Sequence, residues 1–374
     1  MSLYYFPRKK LGDILSFKNG KSIKPGGIGE YPVYGANGII GGCNKYQEQN
    51  GIILGRVGAY CGSVTYYSGK FWASDNTIVV YPKNDEYDVL FLSYLLREQN
   101  LNHWAGGAAQ PLLTQTVLKQ VESPVPPLST QHKIAAILSA YDDLIENNLR
   151  RIKILEEMAQ NLYREWFVKF CFPGHQHARF IDSPHGHIPE GWKTKKLGDI
   201  ATINWGDTST TKASYVENGY DAYSASGLDG KLDHYDYDRT GIVLSAIGAQ
   251  CGKTWLARGK WSCIKNTIRF WSNIECASTE FLFIATKGQD FWPRRGAAQP
   301  FISQGDAERI ELLIPDLETM IWFTTFTADA LEKIDILQAQ IQTLRCTRDL
   351  LLPKLISGEV DVSQLDITIP EEVA

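Results

Sequence analysis

Between residues 134 and 166, core-type positions recur at alternating steps of four and three: Ile134, Leu138, Tyr141, Ile145, Asn148, Ile152, Leu155, Ala159, Leu162 and Trp166. The same pattern returns 189 residues later at Phe323, Thr327, Ala330, Ile334, Leu337, Ile341, Leu344, Arg348, Leu351 and Leu355. Spacing of this kind, sustained over four heptads, predicts two long helices at residues 129–170 and 318–358 that pair as a coiled coil. At a rise of about 1.5 Å per residue each would span roughly 60 Å. Asn148 and Arg348 interrupt the apolar seam, and a polar residue there can fix register. With a globular stretch between the helices, antiparallel pairing within the chain is the natural geometry; two separate amphipathic helices, each packed on its own domain, satisfy the spacing too. Pro353 is expected to bend or fray the last turn, and Gly358 to cap it.

Ahead of each helix the pattern changes. Gly51–Leu54 and Thr77–Tyr81 are short apolar runs set off by Gly, Asn and Ser, as are Gly241–Leu244 and Thr267–Phe270, so all four are read as buried strands. Short helices are predicted at Val89–Glu98 and near Thr279–Lys287. Pro126-Pro127 and Pro315-Asp316 close the two stretches, because the residue before a proline resists helix.

These parallels extend to the letters. Lys10-Leu11-Gly12-Asp13-Ile14 returns as Lys196-Leu197-Gly198-Asp199-Ile200, and Gly58-Ala59-Tyr60-Cys61-Gly62 as Gly248-Ala249-Gln250-Cys251-Gly252. Asn76-Thr77-Ile78 returns as Asn266-Thr267-Ile268, and Gly107-Ala108-Ala109-Gln110-Pro111 as Gly296-Ala297-Ala298-Gln299-Pro300. The offsets, 186, 190, 190 and 189, differ only by small insertions. A period this long is no solenoid; it marks a duplicated domain pair with approximate two-fold symmetry.

Composition narrows the class. The 374 residues are 44% hydrophobic and 21% charged, as in ordinary globular protein. The start lacks the charged and apolar regions of a signal peptide, and no run approaches a membrane span, so neither is expected. Seven scattered cysteines without a C-x-x-C pair are expected to be reduced thiols. The net charge of −4 is unevenly placed: residues 1–128 carry 12 Lys and Arg against 9 Asp and Glu, 192–317 carry 15 of each, and 318–374 carry 4 against 10. The two globular stretches are therefore neutral to slightly basic, which permits phosphate binding without requiring it.

Motifs for chemistry are missing. There is no G-x-x-x-x-G-K-S/T loop, H-E-x-x-H, G-x-S-x-G or strand-linked G-x-G-x-x-G, nor the Asn/Asp-Pro-Pro-aromatic sequence of amino-methyltransferases. Residues 171–191 hold His175, His177, His185, His187 and Cys171, but in H-x-H pairs without zinc-ligand spacing. That segment is read as an ordered polar connector, and no metal site is assigned. On the residues alone, a non-catalytic two-domain adaptor for other proteins fits the pattern too, as does a nucleic-acid enzyme with an unfamiliar site.

Taken in order, the two KLGDI openings, the two GAAQP segments, Ile145-Glu146-Asn147-Asn148, Ile188-Pro189-Glu190-Gly191-Trp192 and Leu351-Leu352-Pro353-Lys354-Leu355-Ile356-Ser357-Gly358-Glu359 resemble the specificity subunit of type I restriction-modification systems over nearly the whole chain. The resemblance implies an α+β fold: two duplicated mixed α/β target recognition domains separated by two long antiparallel coiled-coil helices. It implies recognition domains at 1–128 and 192–317, spacer helices at 129–170 and 318–358, a linker at 171–191 and a tail at 359–374. It also implies a cytoplasmic, prokaryotic protein with no catalysis of its own. Such a protein binds double-stranded DNA and carries two methyltransferase subunits, joined at times by restriction subunits. The chain itself would need no cofactor, S-adenosylmethionine belonging to the methyltransferase and ATP and Mg to the restriction partner. Ile145, Asn148, Ile152, Leu155, Leu162, Ile334, Leu337, Ile341, Leu344, Arg348 and Leu351 would form the seam and docking surface.

Two domains of one fold that read different sequences should share scaffold and differ where they touch bases. The glycines at 58, 62, 248 and 252 are shared, and are expected to supply tight turns or positive φ. Arg56 faces Ala246 in the comparison, Tyr60 faces Gln250, and Asp75 faces Lys265. Arg bonds bidentately to guanine and Gln to adenine, making Arg56 and Gln250 base-reading candidates. Gln110 and Gln299, in small-residue loops, are candidates for close approach to DNA. Lys18, Asn19, Lys21 and Lys24, then Lys253, Arg258, Lys260, Lys265, Arg294 and Arg295, are candidate DNA contacts, the lysines and arginines chiefly to phosphate.

Overall fold

The computed structural model describes residues 6–24, 26–107, 111–184, 186–296 and 298–368. The chain forms two compact units, Met1–Leu149 with Ala339–Ala374, and Arg150–Gln338. In the first unit the strands are β1 (Arg8–Lys10), β2 (Leu15–Asn19), β3 (Tyr31–Gly35), β4 (Gly38–Cys43), β5 (Glu48–Gly55), β6 (Val64–Ala73), β7 (Thr77–Pro82) and β8 (Glu122–Pro124). Its helices are α1 (Leu11–Ile14), α2 (Val89–Glu98), α3 (Gln115–Leu118) and the opening part of α4 (Leu128–Tyr163).

Six of these strands form one sheet in the order β2-β7-β5-β6-β3-β4, with only β3 and β6 parallel. Side chains alternate across a strand, so Ile52, Leu54, Ile78 and Val80 enter the main core beside Phe91, Leu92 and Leu95 of α2. Ile53 and Val79 face the other way, into a smaller cluster with Tyr34, Phe71 and Ala73. α2 starts where the side chain of Asp88 accepts the Phe91 N–H at 2.5 Å.

The second unit repeats the plan. Its strands are β9 (Phe180–Ser183), β10 (Gly186–Pro189), β11 (Lys193–Lys196), β12 (Ala201–Trp205), β13 (Tyr220–Ser224), β14 (Gly227–Leu232), β15 (Tyr237–Asp238), β16 (Gly241–Ser245), β17 (Thr254–Ala257), β18 (Lys260–Cys263), β19 (Thr267–Ser272) and β20 (Glu311–Ile314). Its helices are α5 (Leu197–Ile200), α6 (Thr279–Ala285), α7 (Gln304–Glu308) and the first part of α8 (Leu317–Ser357). The order β12-β19-β16-β17 matches β2-β7-β5-β6, and β14-β13-β18 matches β4-β3-β6. The copies agree down to a register shift, between Val33 and Tyr34 in one and Ala222 and Tyr223 in the other. They differ where the continuous β6 becomes β17 and β18, separated by Arg258 and by Gly259 at φ +66°.

Both long helices form, α4 ending in a π-helical turn at Arg164–Val168. Every seam position named above is buried or half-buried. In the first unit Ile134, Ala135 and Leu138 share a core with Leu355 and Ile356, and Arg348 bonds to Asp142 at 2.5 Å. In the second, Tyr163, Trp166 and Phe167 surround Phe323, the last two with ring centroids 5.8 and 4.9 Å from it. In each unit the helices run antiparallel, their apolar stripe fused with the core of the α/β part.

Three expectations need adjustment. Pro353 does not fray α8, which continues to Ser357 because Leu355 and Ile356 are anchored in the core; Gly358 then turns at φ +81°. α6 stops at Ala285, where the Thr286 hydroxyl bonds back to Leu282 at 2.7 Å. The connector is less polar in place than in sequence, since Phe172 and Ile188 are buried and β9 and β10 make a hairpin.

Candidate nucleic-acid interface

One end of the main sheet in the first unit gathers four segments. Gly20 and Lys21, following β2, donate their N–H groups to Thr77 and Ala73 at 3.0 and 2.9 Å. Past β5, Arg56 donates to Asn76 at 3.0 Å and Gly58 to Pro111 at 3.1 Å, while Leu113 donates to the Arg56 carbonyl at 2.9 Å. The second unit makes the same five bonds. Gly206 donates to Thr267 at 2.9 Å, Asp207 to Cys263 at 2.8 Å, Ala246 to Asn266 at 3.0 Å, Gly248 to Pro300 at 2.9 Å and Ile302 to Ala246 at 2.8 Å. Gly58, Gly62, Gly248 and Gly252 all have positive φ, from +72° to +97°, as the shared spelling predicts. Cys61 and Cys251 are buried beneath these loops, each with Sγ 3.3 Å from a carbonyl, that of Arg56 and of Ala246; burial raises both thiol pKa values.

On this common backbone the side chains diverge. Tyr60 is 59% exposed, and its counterpart Gln250 is half-buried. Asp75 and Lys265 are exposed at matching turns. The bond pattern also equates Lys21 with Asp207, 186 residues apart like the KLGDI openings. The first copy thus carries Lys21 and Asp75 where the second carries Asp207 and Lys265, with the charges exchanged. Asp207 is partly consumed locally: it accepts from the Thr210 hydroxyl and from the Ser209 N–H and hydroxyl, the latter two at 2.9 and 2.7 Å, which lowers its pKa to about 2. Position 56/246 lies deeper. Ala246 is fully buried, Arg56 is half-buried, and the Arg56 Nε is enclosed without a hydrogen-bond partner among the described residues.

The family model for the type I restriction modification DNA specificity domain matches residues 6–157 and again 189–344. The chain belongs to this family. Among its relatives, the MjaIX specificity subunit of Methanocaldococcus jannaschii is 27% identical over 301 residues, 74% of this chain and 70% of that one. The EcoprrI specificity subunit of Escherichia coli is 32% identical over 173 residues, 44% of this chain and 42% of that one. The fold matches the crystal structure of the S subunit of a type I restriction-modification system from M. genitalium, with a TM-score of 0.65 over 98% of each chain at 18% identity.

For a DNA-specificity family member, the predicted basic residues are unevenly available. Lys18 pairs with Glu48 at 2.5 Å, and Tyr81 donates to the same carboxylate at 2.8 Å. Arg258 pairs with Asp335 at 2.8 Å and Arg294 with Asp290 at 2.7 Å. Arg295 is tied to Asp306, which Arg309 also reaches at 2.8 Å. Lys260 stands over the Tyr235 ring at 4.7 Å, and Asn19 accepts from Gln115 at 2.9 Å. Lys21, Lys24, Lys253 and Lys265 are exposed and form no ion pair among the described residues. Gln299 is exposed, and Gln110 lies outside the described residues.

The seam residues proposed for docking are largely occupied within the units. Ile145, Asn148, Ile334, Leu337 and Ile341 are buried, while Ile152, Leu155, Leu162, Leu344, Arg348 and Leu351 are half-buried. Open apolar surface of the helices lies beside the seam and includes Leu144, Leu149, Ile154, Met158, Ile321, Phe326 and Leu350, between 45% and 68% exposed. Sequence reasoning passed over these because they fall outside the heptad positions. Among the described residues no helix is long and apolar enough to cross a membrane.

Proposed function

We propose that each unit reads one half of a split, asymmetric target in double-stranded DNA, and that the chain delivers two methyltransferase subunits to that target, with restriction subunits joining for cleavage. The observation carrying this reading is the pair of loop edges: five backbone bonds coincide between the copies, while the exposed side chains on them differ. A scaffold kept constant under changed side chains is what two readers of different half-sites require. Catalysis is assigned to the partners, S-adenosylmethionine to the methyltransferase and ATP with Mg to the restriction subunit, and the work to the cytoplasm. Methyl-group mapping of genomic DNA from cells that express the chain with its methyltransferase partner tests this. Two different specified halves with an unspecified gap are expected; one continuous motif or a perfect palindrome would overturn the reading.

A further inference from the structure

We infer that Leu112 and Phe301 are specificity-determining contacts, each placing an apolar edge against the C5 methyl group of a thymine in its half of the target. This rests on the DNA-reading function proposed above and adds a chemical identity to one position in each half.

The two residues are equivalent in the fold. Leu112 exchanges both backbone hydrogen bonds with Gly106, at 2.8 and 3.0 Å, and bridges to Val57 on its other side. Phe301 exchanges both with Arg295, at 2.8 and 2.9 Å, and bridges to Ile247. In such extended segments successive side chains point to opposite faces. The next residues, Leu113 and Ile302, are fully buried, so Leu112 and Phe301 are turned outward, 38% and 39% exposed. Residues directly opposite on paired segments share a face, which sets Val57 beside Leu112 and Ile247 beside Phe301. Val57 and Ile247 are half-buried, Ile247 against the core, so the exposed apolar edge beside the positions where Tyr60 and Gln250 differ is that of Leu112 or Phe301 itself.

A lone exposed apolar residue is ordinary. Here it occurs twice at one place, pinned by backbone on both sides, while the neighbouring loop positions have changed in charge and type. Most of each side chain is covered, which leaves an edge to lie against a base rather than a wedge to drive between bases. The apolar feature of a base edge in the major groove is the thymine methyl.

The test selects binding sites for the full-length chain, with its methyltransferase partner, from two libraries of randomised half-sites, one built with thymidine and one with deoxyuridine. Uracil pairs as thymine does but lacks the methyl. Expected is one position in each half where thymine is preferred and uracil is selected about three- to five-fold less, as for loss of one buried methyl. Leu112→Ala should erase that difference in one half only, Phe301→Ala in the other, and Leu112→Met should retain it. The wild-type comparison decides without depending on the folding of any variant. Identical selection from both libraries would overturn the inference while leaving the DNA-reading function intact. No selection from either library would overturn both.

Discussion

Gly62 and Gly252 occupy the same left-handed conformation, with φ +89° and +92°, and both lie against backbone. A Cβ on Gly62 would stand 2.5 Å from the Asn102 nitrogen, and one on Gly252 2.9 Å from the Gln289 oxygen. Gly58 and Gly248 share the sign of φ, yet a Cβ on either would meet nothing within 4 Å. Replacement by alanine should therefore separate conformational strain from steric contact. At Gly58 or Gly248 only the φ penalty applies, about 1 kcal/mol; at Gly62 the Asn102 segment must also move, for about 2–3 kcal/mol in all. Urea unfolding of Gly58→Ala and Gly62→Ala checks this, and equal losses would mean that the close approach is relaxed cheaply. The same residues explain why the two loops share their glycines, since those positions are fixed by the backbone.

At the scale of elements, α4 and α8 serve each unit as part of its core. Phe323 is completely buried among Tyr163, Trp166, Phe167 and Phe281. Phe326, one turn further on, contacts Trp166 but remains 64% exposed. Phe323→Ala is expected to cost about 3–5 kcal/mol through the cavity it leaves, and Phe326→Ala no more than about 1 kcal/mol. Thermal unfolding of the two variants measures the difference. DNA binding by Phe323→Ala should weaken alike for all sequences, because a core residue carries no base information; a change of sequence preference would place α8 in the reading surface.

Over the whole molecule, the charge available for DNA is small. The chain carries −4 in all, with 4 Lys and Arg against 10 Asp and Glu after residue 317. Several predicted phosphate contacts already face carboxylates, as Lys18 faces Glu48 and Arg258 faces Asp335. Lys21, Lys24, Lys253 and Lys265 remain. Four phosphate neutralisations correspond to a slope of about −4 in log affinity against log salt. The free chain should bind DNA weakly with that slope, and the methyltransferase subunit proposed as its partner should tighten binding and steepen the dependence. Titration of DNA binding across salt concentrations, with and without the partner, checks this; unchanged affinity and slope on adding the partner would remove the scaffold role.

Periodicity and repetition alone determined the two long helices, the seam from Ile134 to Leu355, the duplicated α/β plan and the glycines of the repeated loops. Each of these rests on interactions local in sequence or on a spelling kept in both copies. Tertiary structure decided what each exposed side chain can reach. Nothing local to Lys18 announces Glu48, and nothing near Arg295 announces its capture by Asp306, which Ser303 and Arg309 also engage. Lys21 and Asp207 stand 186 residues apart, as the KLGDI openings do, and their backbone bonds to Ala73 and Cys263 bear out that equivalence. Leu112 and Phe301 read as unremarkable apolar letters until Leu113 and Ile302, buried beside them, show which way the strand faces. Side-chain direction and the pairing of distant charges are properties of the folded chain, because they depend on which segments the fold brings together.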